Sequence, residues 1–336
     1  MKKVAVYGAL ALVVVLATGI SATIGWRPFI GPRARPLTDR KFEPTPARLE
    51  RGAYLVNNVD GCLDCHSDGA PGAARKTEDI GAGHVWAAEG MPWLVAPNIT
   101  PDPETGAGTW SDDAIARAVR EGIGHDGRAL FPMMPYGNLR HMSDEDLASV
   151  VVYIRSLPAV RRKQPKAAIP FPVKYLINSV PEPLEAPVPA PDLTDPVARG
   201  RYMVTLASCT DCHTPMDDKG QFIPGMEFAG GNTLSYTGKP SAASANLTPS
   251  PNGIPYYTED LFLETLRTGH VRERALSDLM PWSFYGHMTD QDLKSIFAYL
   301  KTLPPVNHYV DNTLPPTKCP RCGLSHGGGE RNKQAP

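Results

Sequence analysis

The chain carries almost no surplus of charge. Its 34 Lys and Arg face 35 Asp and Glu, a net charge of −1, so no electrostatic bias toward nucleic acid or acidic partners is present. It has no low-complexity tract, and 42% of its residues are hydrophobic, which excludes a disordered chain. It has no cysteine outside three Cys-x-x-Cys pairs: Cys62 with Cys65, Cys209 with Cys212, and Cys319 with Cys322. At 336 residues it is too long for a disulfide-stapled mini-protein and long enough for two ordinary domains. Strand alternation is scarce, so the expected fold is mostly α with long loops. Proline is in excess, at 35 residues, roughly twice the average share of about 5%.

The N-terminus reads Met-Lys-Lys and then a largely apolar run, Val4 to Ile24. The run exceeds the roughly 7–15 apolar residues of a signal peptide. At 1.5 Å per residue it reaches about 30 Å, the thickness of a bilayer core. No good Ala-x-Ala site follows, the weak candidate lying near Ala22, and no cysteine near its end permits a lipoprotein anchor. The expectation is an uncleaved transmembrane anchor over residues 1–26, in preference to a cleaved signal. Lys2 and Lys3 put the N-terminus inside, against a weaker signal from Arg27, Arg33 and Arg35. Export is implied either way: the inner membrane, with the remaining domains in the periplasm.

The chain repeats itself. Gly-Cys-Leu-Asp-Cys-His (61–66) returns as Ser-Cys-Thr-Asp-Cys-His (208–213). Arg51-Gly52 and Tyr54 return as Arg199-Gly200 and Tyr202. Asn98-Ile-Thr-Pro101 returns as Asn246-Leu-Thr-Pro249, and Arg120-Glu-Gly122 as Arg267-Thr-Gly269. Arg128-Ala-Leu130 returns as Arg274-Ala-Leu276, Met134-Pro-Tyr136 as Met280-Pro-Trp282, and His141-Met-Ser-Asp-Glu-Asp-Leu147 as His287-Met-Thr-Asp-Gln-Asp-Leu293. The offset stays between 146 and 148, so residues 45–160 and 192–306 are two copies of one domain. Each is expected as helix, motif, long loop, helix, loop, helix, with N-caps at Ser111 and Ser143. Eight prolines between Arg161 and Pro191 mark a semi-rigid linker over 161–191, and residues 307–336 form an irregular, cysteine-containing tail.

Cys-x-x-Cys-His reads as a c-type haem attachment site. Two thiols one helical turn apart reach two vinyl groups of one porphyrin, and the next residue stands under the iron. Zinc or a redox dithiol would leave the histidines and the repeat unexplained. Two covalently bound haem c groups are therefore expected, on Cys62, Cys65 and His66, and on Cys209, Cys212 and His213. Histidine–methionine ligation is usual in cytochromes c. Met142 and Met288 stand before N-caps, with leucine at N4, the hydrophobic-staple arrangement. That leaves Met134 and Met280, in proline-stiffened loops, as the sixth ligands. His141 and His287 are the rivals. Arg128 and Arg274 read equally as propionate partners or surface residues, and Asn98 and Asn246 as turn residues. Cys319-Pro-Arg-Cys322-Gly323 lacks the histidine. A disulfide is its expected state, with part of a metal site or an unused remnant as alternatives.

With these motifs the chain resembles the membrane-anchored, multi-haem cytochrome c subunits of bacterial periplasmic dehydrogenases, such as those of alcohol and gluconate dehydrogenases. The resemblance covers residues 45–306. It implies two tandem class I-like cytochrome c domains behind an N-terminal transmembrane helix. It also implies electron relay from a catalytic subunit toward quinone or a terminal acceptor. Those subunits typically carry three haem domains and this chain two. The expected partners are the membrane and a dehydrogenase or oxidase subunit, with the chain a non-catalytic electron carrier, free or fixed in a respiratory complex. The alternative is a dihaem enzyme, a peroxidase or thiosulfate-type oxidoreductase, which needs one open iron position; Met-Pro loops in both copies argue against it.

Overall fold

The computed structural model describes residues 2–69, 77–87, 90–235 and 241–333. Met1 of the expected anchor and residues 334–336 of the tail lie outside them. The fold is mostly helical; extended structure among the described residues is confined to four two-stranded antiparallel ladders and isolated bridges.

The N-terminal run forms a helix over Lys2–Ala22, but among the described residues no helix is long and apolar enough to cross a membrane. The expected transmembrane helix is thereby corrected. Lys2 and Lys3 take the first turn, and the helix stops at Ala22, before the end of the apolar run at Ile24. Tyr7, Gly8, Thr18, Gly19 and Ser21 dilute it further.

The chain divides into two compact units. The first comprises residues 1–41, 110–140 and 168–187, and the second residues 42–109, 141–167 and 188–336. In the first, the helix Asp112–Glu121 starts at Ser111, whose hydroxyl accepts from the Ala114 N–H, and ends on left-handed Gly122. It buries Ala114, Ile115 and Val119. Its acids also hold the incoming chain: the Arg35 guanidinium donates to Asp113 at 2.7 and 2.8 Å and to Glu121 at 2.8 Å, and the Thr38 N–H donates to Asp113 at 2.7 Å. Burial alone would raise the Asp113 pKa, but these bonds hold it down at about 2.

In the second unit, each copy packs its first helix against its last: Pro46–Tyr54 on Asp144–Ser156, and Pro196–Leu206 on Asp290–Thr302. Glycine permits the approach. A Cβ at Gly52 would run into the Ser149 carbonyl, and one at Gly200 into that of Ser295. Leu55, Val56, Leu147, Val150 and Val151 fill the first core, and Met203, Leu206, Leu293, Ile296 and Leu300 the second. Met142 and Met288 are 0% and 1% exposed, as staples before caps whose hydroxyls accept from Asp146 and Asp292 N–H groups.

The copies are joined by exchanged tyrosines. Arg51 forks onto Asp146 through two bonds of 2.8 Å, and Arg199 donates to Asp292 at 2.5 Å. The Tyr202 hydroxyl of the second copy donates to Asp146 at 2.8 Å and accepts from the Ser143 N–H. The Tyr54 hydroxyl of the first donates to Asp292 and accepts from the Thr289 N–H. Burial, then the neighbouring carboxylate, raises the pKa of both tyrosines, Tyr54 to about 12, so both stay donors.

These contacts can be tested by unfolding. Asp146→Ala and Asp292→Ala should each cost about 2–4 kcal/mol in urea unfolding, because each strands a guanidinium and a buried hydroxyl, whereas Tyr202→Phe should cost about 1 kcal/mol. Asp113, with its pKa depressed, contributes stability that is complete above about pH 4 and lost as the pH falls toward about 2. The stability difference between wild type and Asp113→Asn, followed by chemical unfolding against pH, should shrink across that window and be flat above it.

Candidate functional site

Both Cys-x-x-Cys-His motifs are built alike. The first follows a π-helical turn, Leu55–Val59, and left-handed Gly61; its thiols occupy one turn, Cys62–Cys65. The second follows left-handed Ser208, with the turn Cys209–His213. The His66 Nδ1–H donates to the Pro97 carbonyl at 2.8 Å and the His213 Nδ1–H to the Ala245 carbonyl at 2.7 Å. A carbonyl can only accept, so Nε2 is the ring atom left for a metal. Burial lowers both imidazole pKa values, partly offset by those bonds, so both rings are neutral. The loop after each motif closes back on it: the Gly83 N–H donates to the His66 carbonyl and the Gly230 N–H to that of His213.

The thiols fit haem attachment better than the other uses of Cys-x-x-Cys. All four are free of disulfides. Burial pushes Cys62 well above the ordinary range, Cys209 up to about 12, and Cys65 and Cys212 to about 11, the opposite of the depressed pKa of a redox dithiol. Among the described residues, neither motif gathers the cluster of ligands that a zinc ion needs.

The loops carrying Met134 and Met280 are the same turn written twice. Each methionine N–H donates three residues back, to Phe131 and to Ser277, and each methionine carbonyl accepts from the residue two ahead, Tyr136 and Trp282. That aromatic residue anchors the loop. Tyr136 lies on Gly122 and Trp282 on Gly269, where added Cβ atoms would collide with the rings, and both glycines are left-handed helix caps at φ +68 and +70. The repeated Arg-x-Gly and Met-Pro-aromatic motifs are therefore two halves of one contact. Met280 shares the second unit with Cys209, Cys212 and His213; Cys62, Cys65 and His66 also lie there, and Met134 lies in the first unit. The rivals His141 and His287 are exposed, and Arg128 and Arg274 are exposed as well.

Two contacts escaped sequence reasoning. Phe284 packs on Gly61, beside Cys62. Its ring centre is 4.2 Å from that of Tyr285, whose hydroxyl donates to the Ala207 carbonyl, two residues before Cys209, at 2.5 Å. An aromatic pair thus spans from one Cys-x-x-Cys-His segment to the other. Cys319 and Cys322, expected as a disulfide, are free thiols facing His308 and His326. His308 was missed; the signal was the spacing His-x10-Cys-x2-Cys-x3-His.

A cytochrome c family profile matches residues 49–158. This segment is a cytochrome c domain. The chain is also similar to a nicotinate dehydrogenase component of Pseudomonas putida, 30% identical over 315 residues that cover 88% of this chain and 24% of that protein. It is 32% identical to the gluconate 2-dehydrogenase cytochrome c subunit of Pantoea cypripedii, over 76% of this chain and 60% of the relative. A diheme cytochrome c-type protein of Cereibacter sphaeroides is 28% identical, over 73% of this chain and 83% of its own length. The chain thus spans about a quarter of the first relative and three fifths of the second. A cytochrome c domain carries covalently bound haem c.

The glycine–aromatic contact is open to test. Gly122→Val and Gly269→Val should each cost about 2–4 kcal/mol in chemical unfolding, from overpacking against a ring plus a left-handed backbone that valine disfavours. Gly127→Val, also left-handed but with open space at its Cβ, should cost only the backbone part, about 1–2 kcal/mol.

Proposed function

We propose that this chain is a dihaem electron carrier that passes electrons from a dehydrogenase to a downstream acceptor. Cys62, Cys65 and His66 would hold one haem and Cys209, Cys212 and His213 the other, with Met134 and Met280 as sixth ligands. The haem iron, when bound, supplies a one-electron couple. The protein's part is to hold it: the Pro97 and Ala245 carbonyls fix the two imidazoles with Nε2 free, and Gly122 and Gly269 seat the rings that set the methionine loops. The observation that carries this reading is the sameness of the two copies. A dihaem enzyme needs one copy to differ, with an open or exchangeable position, and neither the histidine anchor nor the methionine turn differs. Phe284 and Tyr285, which lie between Gly61 and Ala207, support electron passage between the two haems within the chain.

The dehydrogenase partner rests on the relatives, among them a subunit of gluconate 2-dehydrogenase. The chain works at the periplasmic face of the inner membrane, held there by the enzyme it serves. Purification of the tagged chain in mild detergent tests this. Two haems per chain, both inert to carbon monoxide, and a co-purifying flavin- or quinoprotein dehydrogenase are expected. Cys209→Ser with Cys212→Ser should halve the haem content. Rapid carbon monoxide binding to one native haem would sink the carrier reading, and an oxidase core in place of a dehydrogenase would overturn the partner.

A further inference from the structure

The tail folds back as a hairpin, Pro316–Lys318 paired with Ser325–Gly327, and its turn is Cys319-Pro-Arg-Cys322-Gly323. Gly323, left-handed at φ +75, closes the turn by donating its N–H to the Cys319 carbonyl, and the Cys322 N–H points at the Cys319 sulfur at 3.5 Å. His326 stands on the returning strand. His308 reaches the same point from the segment after the last helix. The four side chains are buried, at 0% for His308 and Cys319, 5% for Cys322 and 1% for His326. Their ligand atoms all lie within 4.8 Å of one another.

Burial of four such groups together demands an explanation. The His308 Nδ1–H donates to the Ala229 carbonyl at 2.9 Å and the His326 Nδ1 faces the Gly327 carbonyl at 3.3 Å. Carbonyls only accept, so neither neutral ring carries a proton on Nε2. Yet the two Nε2 atoms face each other at 3.2 Å. Two lone pairs held that close call for a cation between them. The distances have the size of a filled site. Ligands at about 2.0–2.1 Å for nitrogen and about 2.3 Å for sulfur on a tetrahedron stand about 3.3 Å apart for N···N and about 3.5 Å for N···S. The structure has 3.2 Å for N···N, and 3.4 and 3.5 Å for the two N···S pairs. The histidine–carbonyl bonds are the outer support that metal-ligating imidazoles require.

We propose that His308, Cys319, Cys322 and His326 form a structural zinc site. Two thiolates and two imidazoles in a closed tetrahedron suit zinc, and with four protein ligands no position is left for substrate. The site stands independently of the haem reading, but it bears on the second copy. The Ala229 carbonyl that accepts from the His308 Nδ1–H precedes Gly230, whose N–H donates to the His213 carbonyl. Both histidine rings also close over Gly231. The ion would therefore fasten the tail to the loop that backs His213.

Element analysis of the haem-loaded chain, purified without chelators, should find about one zinc per chain beside the haem iron. His326→Ala and Cys322→Ser should lose it, while His326→Cys, with four ligands restored, should retain it; haem content reports folding in each. Hydrogen exchange of the zinc-free His326→Ala chain should quicken at residues 229–231 and stay unchanged at residues 82–83, the matching loop of the first copy. Zinc-free wild type with a Cys319–Cys322 disulfide in a non-reducing peptide map would overturn the proposal, as would zinc retained by both single-ligand losses. Stoichiometric iron or copper at this site would overturn the assignment to zinc, and unchanged exchange at 229–231 would overturn its hold on that loop.

Discussion

Asp146 and Asp292 are carboxylates 7% and 0% exposed, and a buried carboxylate is stable only when several donors surround it. Each finds an arginine from its own copy and a tyrosine from the other. The arrangement is strict because carboxylate, arginine and tyrosine come from three different helices. The arginine sets the register of the first helix against the last, the glycine beside it lets those helices touch, and the tyrosine three residues on crosses to the other copy. Were either carboxylate neutral or absent, the register within a copy and the joint between copies would loosen together. One short motif, Arg-Gly-x-Tyr, thus serves both the domain and the pair.

This joint has consequences for the two Cys-x-x-Cys-His turns. Each first helix runs directly into its Cys-x-x-Cys-His turn, so fixing the helix fixes the thiols. The aromatic pair Phe284–Tyr285 then lies between Gly61 and Ala207, which relates one turn to the other through rigid side chains rather than through loops. The histidines are pinned separately, by carbonyls from the loops that lead into Asn98-x-Thr and Asn246-x-Thr. There Asn98 and Asn246 each accept from the N–H and hydroxyl of Thr100 or Thr248. Those asparagines are turn residues that position the carbonyl to which His66 or His213 donates.

The repeat made much of this legible. The caps at Ser111 and Ser143, the staples Met142 and Met288, and the turn role of Asn98 and Asn246 were readable because each depends on neighbours a few residues away. The crossing of Tyr54 and Tyr202 was not, since a tyrosine at one spacing can pack on its own copy or on another. His308 was hidden for the same reason: it lies eleven residues before Cys319 and meets it only through the return of a hairpin. The apolar N-terminal run was read by composition, and composition alone does not say where a helix stops. Among the described residues no helix is both long and apolar enough to cross a membrane.

The two copies also show why the tail needs a fastening of its own. After each last helix the chain returns across the loop that backs His66 or His213, and Asn98 or Asn246 donates to its first carbonyls, at Val160 and Val306. In the first copy the return then places Gln164, whose amide donates to the Ala82 carbonyl at 2.8 Å and whose stem covers Gly83. In the second copy His308 occupies that role, donating to the Ala229 carbonyl at 2.9 Å, with His326 beside it over Gly231. Glutamine meets that carbonyl with an amide N–H and lays an apolar stem over the glycine. A buried imidazole has a second nitrogen that must be satisfied, and Cys319, Cys322 and His326 are the groups gathered around it. Sulfur and nitrogen ligands brought to one buried point by a hairpin are explained by the histidine that the return strand delivers there.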